Sequence, residues 1–505
     1  MIAQTQSATL IGIDAIPVMI EVDLQGGVPA FVMVGLPDKA VEESKERVRT
    51  AIRNSELEFP LRKIICNLAP GDIKKEGPAL DLPIAAAILA ASGQISLESC
   101  EKTVFLGELS LDGTLRPVDG ALSAALMCNE NGMRRLILPT QNAPEAAIIP
   151  NLEVYGVECL RDVVDLFQGN FLTKPYVFVD VQQEHSRNYE IDFAEIKGQR
   201  HAVRALEIAA AGGHNVLMIG PPGSGKTMLA SRLSTILPRL TLEESIAVTR
   251  IYSASGMKSG QPGLMWERPF RAPHHTSSYA ALVGGSGNKG LRPGEVSLAH
   301  YGVLFLDEMP EFSRGVLEAL RQPLENGSVT ISRVQSSVSF PADCILIGAM
   351  NPCPCGFKGY PEAKCVSSPA VCSKYGLKIS GPMLDRIDLN VMVPRLKPDE
   401  LVHSQPGESS ENIRERVMKA RERQHDRFGK NKINAKMNPK EIRKLIPLSG
   451  ESEDFMHAVA SKLNLSARVY DRILKVSRTI ADLAGSNEVS LQHLGEAVQY
   501  RSVEF

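Results

Sequence analysis

The sequence predicts an α/β fold: a parallel-sheet core preceded by an α+β domain and followed by a helical region. Three observations carry this. The run Val216 to Ile219 reads as a buried strand that enters a glycine-rich turn and then a helix beginning near Lys226. Two more apolar runs, Gly302 to Leu306 and Cys344 to Ala349, have strand length and end in polar residues. On either side the period changes, to short alternating strands mixed with helices before the core and to helical spacing after it.

The turn is Gly220, Pro221, Pro222, Gly223, Ser224, Gly225, Lys226, Thr227, and it satisfies the phosphate-loop pattern G-x-x-x-x-G-K-[ST]. Its glycines let the backbone turn tightly enough to aim N–H groups at phosphate oxygens. The helix adds its positive end to the same anion site. Lys226 is expected to reach the β and γ phosphates, and the Thr227 hydroxyl to hold Mg²⁺. About 80 residues later the second strand ends in Asp307 and Glu308. Asp307 is placed to order the metal shell and Glu308 to polarise the attacking water. The third run ends at Asn351, an amide able to sense the γ-phosphate or orient that water. The pattern predicts ATP hydrolysis.

Composition bounds the rest. The chain has 505 residues, enough for roughly three domains. A formal net charge of −2 excludes a globally basic nucleic-acid binder, though not a local basic surface inside a ring. Met1 to Gln6 lacks the basic start of a signal peptide, and no apolar run approaches ~20 residues. Nine cysteines, four of them clustered, fit a reducing compartment better than a disulfide scaffold. The expectation is a cytoplasmic protein without a membrane span.

Residues 1–170 form the first predicted domain. Ala8 to Ile13 and Val18 to Leu24 read as paired strands, and Ala30 to Gly35 as a third. Lys39 to Ile52 has helical spacing, with Val41, Val48 and Ile52 on one face. Lys63 to Leu68 and Thr103 to Gly107 are further strands, and Pro83 to Ala91 and Gly120 to Glu130 apolar helices. Lys74 and Lys75 are expected to form a solvated or partner-facing patch.

The segments Pro70 to Asp81, Gly107 to Pro117 and Leu136 to Pro139 resemble the Lon-protease-like fold, which is related to a domain of a ribosomal protein. The resemblance implies a serine and a lysine at positions that here are Ala79 and Leu122. Neither can supply a nucleophile or a base, so a shared fold without peptidase activity is expected.

Residues 171–190 read as a linker, and 191–395 as the ATPase core. Ile196 to Arg204 looks like the segment that covers the adenine in this class of motor. Between the nucleotide motifs lies an insertion containing His274 and His275. Adjacent histidines cannot easily aim at one ion from a regular element, so a structural or substrate-contact role is expected. Gly284 to Gly290 reads as a flexible loop tip.

The phosphate loop, this insertion, Arg292 to Glu308, Asn351 to Gly356 and Ser380 to Leu389 resemble the magnesium-chelatase-like AAA+ ATPases. With the Lon-like domain in front, the chain resembles the ComM/YifB family from end to end. That resemblance implies a cytosolic homo-hexameric motor that uses ATP and Mg²⁺. In the ComM branch it implies a DNA helicase that drives branch migration during natural transformation. Single-stranded or branched DNA and recombination proteins are then the expected partners. The alternative is a protein-remodelling ATPase of the chelatase or chaperone type.

The resemblance also gives roles to single residues. Arg386 matches the arginine finger that reaches a neighbouring subunit's ATP, the alternative being an ion pair with Asp385 or Asp388. Arg468 matches the second sensor on a C-terminal lid, with Arg472 one helical turn on as the alternative. Gly327 to Pro341 reads as two strands with a tight connection. In related motors such a hairpin faces the pore, which makes Arg333 a DNA-contact candidate; a solvated hairpin is the alternative.

Residues 396–505 are predicted to form the helical lid. Asn412 to Phe428 interleaves arginines with acids and is expected to be solvated. Ser490 is placed as a helix N-cap. Finally, Cys353, Cys355, Cys365 and Cys372 lie in one loop punctuated by proline and glycine. Four thiols there suit a structural Zn²⁺, although the spacing departs from the usual Cys-x₂-Cys knuckle. The alternative is four reduced thiols in a loop that packs by itself.

Overall fold

The computed structural model describes residues 2–170, 174–177, 190–257, 263–287, 290–332, 337–359, 365–396, 405–429 and 432–501. The predicted linker and Arg333 therefore lie wholly or mostly outside the described residues.

The N-terminal domain is built on a seven-stranded mixed sheet. Its order is Ala30–Val34, Lys63–Ala69, Asp14–Gln25, Ile2–Ile11, Thr103–Phe105, Arg135–Pro139, Glu153–Val157. Ile2–Ile11 and Asp14–Gln25 pair antiparallel up to Ile11 opposite Asp14, joined by Gly12 and Ile13. Gly12 has φ 68°, as a two-residue hairpin turn requires. Helix Lys39–Asn54 begins at Asp38, whose Oδ1 accepts from the Val41 N–H at 2.8 Å, and buries Val41, Val48, Ala51 and Ile52. Helix Asp81–Ala91 is buried all round and forms the centre of this core.

The expected lysine patch is half right. Lys74 is exposed and pairs with Glu76 at 3.1 Å. Lys75 is fully buried, its ammonium donating to the Pro70 carbonyl, and burial draws its pKa below the ordinary lysine value. A long apolar stem allows this where a carbonyl waits at its end.

The core sheet is parallel, ordered Phe270–Arg271, Val303–Leu306, Ile345–Met350, Val216–Ile219, Leu389–Met392. All four long strands are almost entirely buried, as helices on both faces demand. The order sets the site. Ile345–Met350 lies between the phosphate-loop strand and the strand ending in Asp307, so Asn351 emerges between the two motifs.

Among the described residues, five C-terminal helices, Ser410–Phe428, Pro439–Leu445, Glu451–Lys462, Ala467–Leu483 and Leu491–Gln499, share a core with helix Arg200–Gly212. The first is not the solvated rod its charges predict. Ile413, Val417 and Ala420 are buried, and its arginines bond inward. Arg414 donates to Thr235 O at 3.0 Å, and Arg421 to Ala210 O at 2.7 Å. These carbonyls lie in the last turns of Lys226–Ile236 and Arg200–Gly212, where helices leave acceptors unpaired. Arg427 pairs with buried Asp482 at 2.5 Å. At the last helix, the Ser490 N–H donates to His493 Nδ1 at 3.0 Å in the predicted capping position.

The insertion differs from expectation at its glycines. Gly284–Gly287 and Gly290–Pro293 pair as an antiparallel hairpin rather than hanging as a free loop tip. Ser328–Ser332 and Ser337–Pro341 pair as predicted. The latter hairpin and helix Leu242–Ser255 receive the N-terminal domain, burying Ile13, Ile251, Ala254, Leu298, Val338 and Phe340 together. A Cβ at Gly12 would stand 2.3 Å from Val338 Cγ1, so only glycine admits this contact. No helix among the described residues is long and apolar enough to cross a membrane.

Candidate nucleotide site and cysteine cluster

Glycines shape the loop before any side chain acts. Gly223 and Gly225 have φ 75° and 88°. A Cβ at Gly220 would lie 2.1 Å from Val393 O, where the neighbouring strand passes. The loop leaves Pro222, Gly223 and Thr227 exposed, and buries Pro221, Ser224 and Lys226.

The predicted side chains converge. Lys226 Nζ donates to Gly220 O at 2.7 Å, Pro221 O at 3.0 Å and Asn351 Oδ1 at 3.2 Å. Burial lowers its pKa, against the opposing pull of Asp307 and Glu308. The Thr227 hydroxyl donates to Asp307 Oδ2 at 2.8 Å. One hydroxyl and one carboxylate in contact, beside a buried ammonium, form a donor set that suits a hard cation bridging phosphate oxygens. Glu308 takes a left-handed backbone, φ 48°, which turns its carboxylate off the strand line and leaves it more than half exposed.

Three further residues complete the surroundings. Gln199, also left-handed at φ 52°, donates from Nε2 to Pro394 O at 2.6 Å and reaches Ser224 O at 3.5 Å. It ties the predicted adenine-covering segment to the phosphate loop. Tyr375 is buried under Asn351, whose backbone it meets, and burial pushes its hydroxyl up to about 12. His275 Nδ1 stands 3.4 Å from Glu308 Oε2.

Of the two arginines, Arg386 is buried rather than projecting. It donates to Arg321 O at 3.1 Å and Pro382 O at 2.8 Å and pairs with Glu325, not with Asp385 or Asp388. Asp388 is taken by Arg472 at 2.6 Å. Despite burial, Arg472 and His214 hold the Asp388 carboxyl well below the usual range. Arg472 is thus engaged in a structural pair, whereas Arg468 stands exposed in the first turn of Ala467–Leu483.

Three of the four cysteines gather, despite a spacing unlike the usual knuckle, and the fourth reaches one of them. Sulfur separations are 3.3 Å for Cys353–Cys355, 3.7 Å for Cys353–Cys365, 3.4 Å for Cys355–Cys365 and 3.7 Å for Cys365–Cys372. The first three form a group able to hold a metal, and Cys372 joins through Cys365. The loop abuts the nucleotide site: a Cβ at Gly356 would meet Pro222 Cδ at 2.4 Å. Cys372 and Tyr375 share helix Pro369–Gly376, so the cluster and Asn351 are linked through one turn of helix.

The sequence identifies the phosphate loop, Asp307, Glu308, Asn351 and the cysteines. It does not single out Gln199, Tyr375 or the His275 contact. His275 could have been found by register. Arg271 pairs with Leu304 in parallel strands, so four residues on, His275 and Glu308 run out side by side.

The chain is similar to known proteins along its whole length. Residues 192–401 match the family described as magnesium chelatase, subunit ChlI. Residues 20–142 match subunit ChlI of Mg-chelatase, and residues 407–501 its C-terminal part. The chain is 45% identical to the Competence protein ComM of Haemophilus influenzae over 99% of this chain and 98% of that protein. It is 43% identical to the Escherichia coli protein named YifB over 100% of this chain and 97% of that one. Lon protease 2 of Thermus thermophilus is 28% identical over 29% of this chain and 20% of its own length.

Proposed function

The chain belongs to the ComM/YifB family of magnesium-chelatase-like AAA+ ATPases, and on that premise we propose that it hydrolyses ATP as a ring-forming DNA motor. The observation that carries the ATPase reading is the contact set Lys226–Asn351 and Thr227–Asp307, at 3.2 and 2.8 Å, with Glu308 beside it. Lys226 and the loop N–H groups would bind phosphate, and Thr227 and Asp307 would hold Mg²⁺, which would supply charge neutralisation. Glu308 takes a proton from the attacking water, and Asn351 orients it. Arg386, once released from Glu325, serves the neighbouring subunit's nucleotide, and Arg468 the lid side.

Glu308→Gln should keep ATP binding and lose turnover by on the order of 10²-fold or more. Unchanged turnover removes the assignment. Whole-chain similarity to a protein named for competence supports DNA as the substrate. ATPase rates with and without forked DNA test this, and binding should weaken steeply with salt. A protein-remodelling role takes over if DNA neither binds nor stimulates.

The cysteine cluster fits a structural zinc. Zn–S bonds of about 2.3 Å at the tetrahedral angle put sulfurs about 3.8 Å apart, close to the observed separations. Cys353, Cys355 and Cys365 would hold the ion, and Cys372, whose sulfur reaches Cys365, would close the site on shifting toward the other two. Metal analysis of protein purified without chelator should give near-stoichiometric zinc, lost in Cys365→Ser.

A further inference from the structure

The N-terminal domain holds two like charges side by side with no acid to answer them. Arg49 and Arg53 stand one turn apart on helix Lys39–Asn54, both exposed. Their guanidinium carbons each lie 5.8 Å from the centre of the Phe59 ring. Phe59 is half-buried and is braced by Phe31, with ring centres 6.5 Å apart. Cations four residues apart on a helix repel each other. The ring attracts both and offsets part of that cost. The helix C-terminus favours Arg53 as well, but it gives no reason for Arg49 beside it.

The acids nearby leave these cations open. Arg47, on the same helix, is taken by buried Asp81 at 2.7 Å. Arg49, Arg53 and the exposed Arg62 have no carboxylate within ion-pairing distance among the described residues. Exposed Glu46, Glu56 and Glu58 lie close in sequence and lower the local potential without pairing. Lys63 follows Arg62 at the start of strand Lys63–Ala69, and Leu61 before them is 73% exposed. Planar unpaired cations around an aromatic ring suit a chain of phosphates interleaved with flat bases. An acidic peptide offers the charge without the bases that guanidinium planes and rings stack on.

This surface is remote from the ATPase core. The domain docks through the turn at Gly12 and Ile13, where strand Asp14–Gln25 begins. Lys63 pairs with Gln25 at the other end of that strand, roughly 35 Å away at the rise of extended chain. We propose that Arg49, Arg53 and Phe59, with Arg62 and Lys63, form a contact for single-stranded DNA on the N-terminal domain, a hold on the strand outside the core. This rests on the reading of the motor as one that works on DNA.

Binding of a fluorescent single-stranded oligonucleotide to the full chain is followed by anisotropy over a range of salt. Thermal unfolding and nucleotide binding serve as controls for the fold. Changing Arg49→Gln and Arg53→Gln together should weaken binding on the order of tenfold. The slope of log affinity against log salt should flatten by about 1.4, since each phosphate contact to a single strand contributes about 0.7. Arg49→Lys with Arg53→Lys should restore the slope, because charge is kept, but not the whole affinity, because the plane is lost. The proposal is overturned if the glutamine variant binds like wild type with the same slope, or if both variants lose binding only together with unfolding. It is overturned too if polyglutamate displaces the strand as well as unlabelled DNA does, the mark of a surface for acidic chains. If the wild-type chain binds no DNA at all, the DNA reading fails and takes the proposal with it, a result distinct from these.

Discussion

Helices Lys226–Ile236 and Ala121–Glu130 both open on a left-handed glycine, Gly225 at φ 88° and Gly120 at φ 80°, and neither has a side-chain cap. Each therefore presents N–H groups and a positive end to whatever lies before it. In the first helix the next residues are Lys226 and Thr227, facing Asn351 and Asp307 beside an exposed loop. In the second they are Ala121 and Leu122, and the molecule supplies its own anion. The Leu122 N–H donates to buried Glu145 Oε1 at 2.9 Å, and the Gly120 N–H to Ser253 Oγ of the core at 3.2 Å. Ser253 in turn donates to Glu145. Arg250 reaches Ser123 Oγ at 3.3 Å and Ile13 O at 3.2 Å from the same core helix. One junction keeps room for a diffusible anion; the other is sealed by a fixed one and joins two domains.

The largest effect that could break this contrast is at Lys226. Lys226→Ala should cost on the order of 10³-fold in turnover, comparable to losing an electrostatic group from an active site. Stability should fall by only about 1–3 kcal/mol, the cost of leaving the Gly220 and Pro221 carbonyls and Asn351 Oδ1 without this donor. Retained turnover would mean that the two junctions differ less than their chemistry implies.

Acid should separate the two regions next. His300 in the core is buried, and that burial pushes its pKa down to about 4; its Nδ1 accepts from the Asp343 N–H at 3.0 Å. The unfolded chain binds a proton at ordinary histidine pH, while the folded chain resists until about 4. Stability from this site is thus complete above about pH 6.5 and lost as pH falls toward 4, by up to roughly 3 kcal/mol. Buried Cys66 and Cys128 of the N-terminal domain, pushed up to about 12, stay neutral throughout. Denaturant unfolding at pH 7 and 4.5 should show the core weakening first, and His300→Asn, which keeps an acceptor, should flatten that trend.

At the sealed junction, Glu145→Ala should cost about 1–3 kcal/mol, because it strands the Leu122 N–H and the Ser253 hydroxyl in a buried place. Turnover per folded molecule should be unchanged. A drop in turnover without loss of stability would make this joint part of the motor cycle instead.

What could be read in advance follows from how local each signal is. Lys226 and Thr227 share one turn, and Asp307 with Glu308 ends one apolar run, so contiguous residues suffice. The cysteines announced themselves by crowding. Interleaved charge on Ser410–Phe428 looked solvated because the carbonyls awaiting Arg414 and Arg421 belong to other helices. Lys75 was misjudged for the same reason, and the resting partner of Arg386 was hidden by it: Pro70 O and Glu325 are partners only after folding. The glycine hairpin of the insertion was hidden because glycine carries no strand periodicity.

The smallest effect is the most direct test of the sealed junction as one network. Ser253→Ala leaves Glu145 its bond to the Leu122 N–H but removes the partner of the Gly120 N–H and the hydroxyl that donates to Glu145. The cost should be about 1–2 kcal/mol, the net worth of two ordinary hydrogen bonds. If Gly120, Glu145 and Ser253 form one unit, Ser253→Ala should cost less when Glu145 is already alanine. The double variant should then fall short of the summed single losses by about 0.5 kcal/mol or more. Strict additivity in denaturant unfolding would show that Ser253 merely lies against the turn, and that the core does not complete the second junction as a nucleotide completes the first.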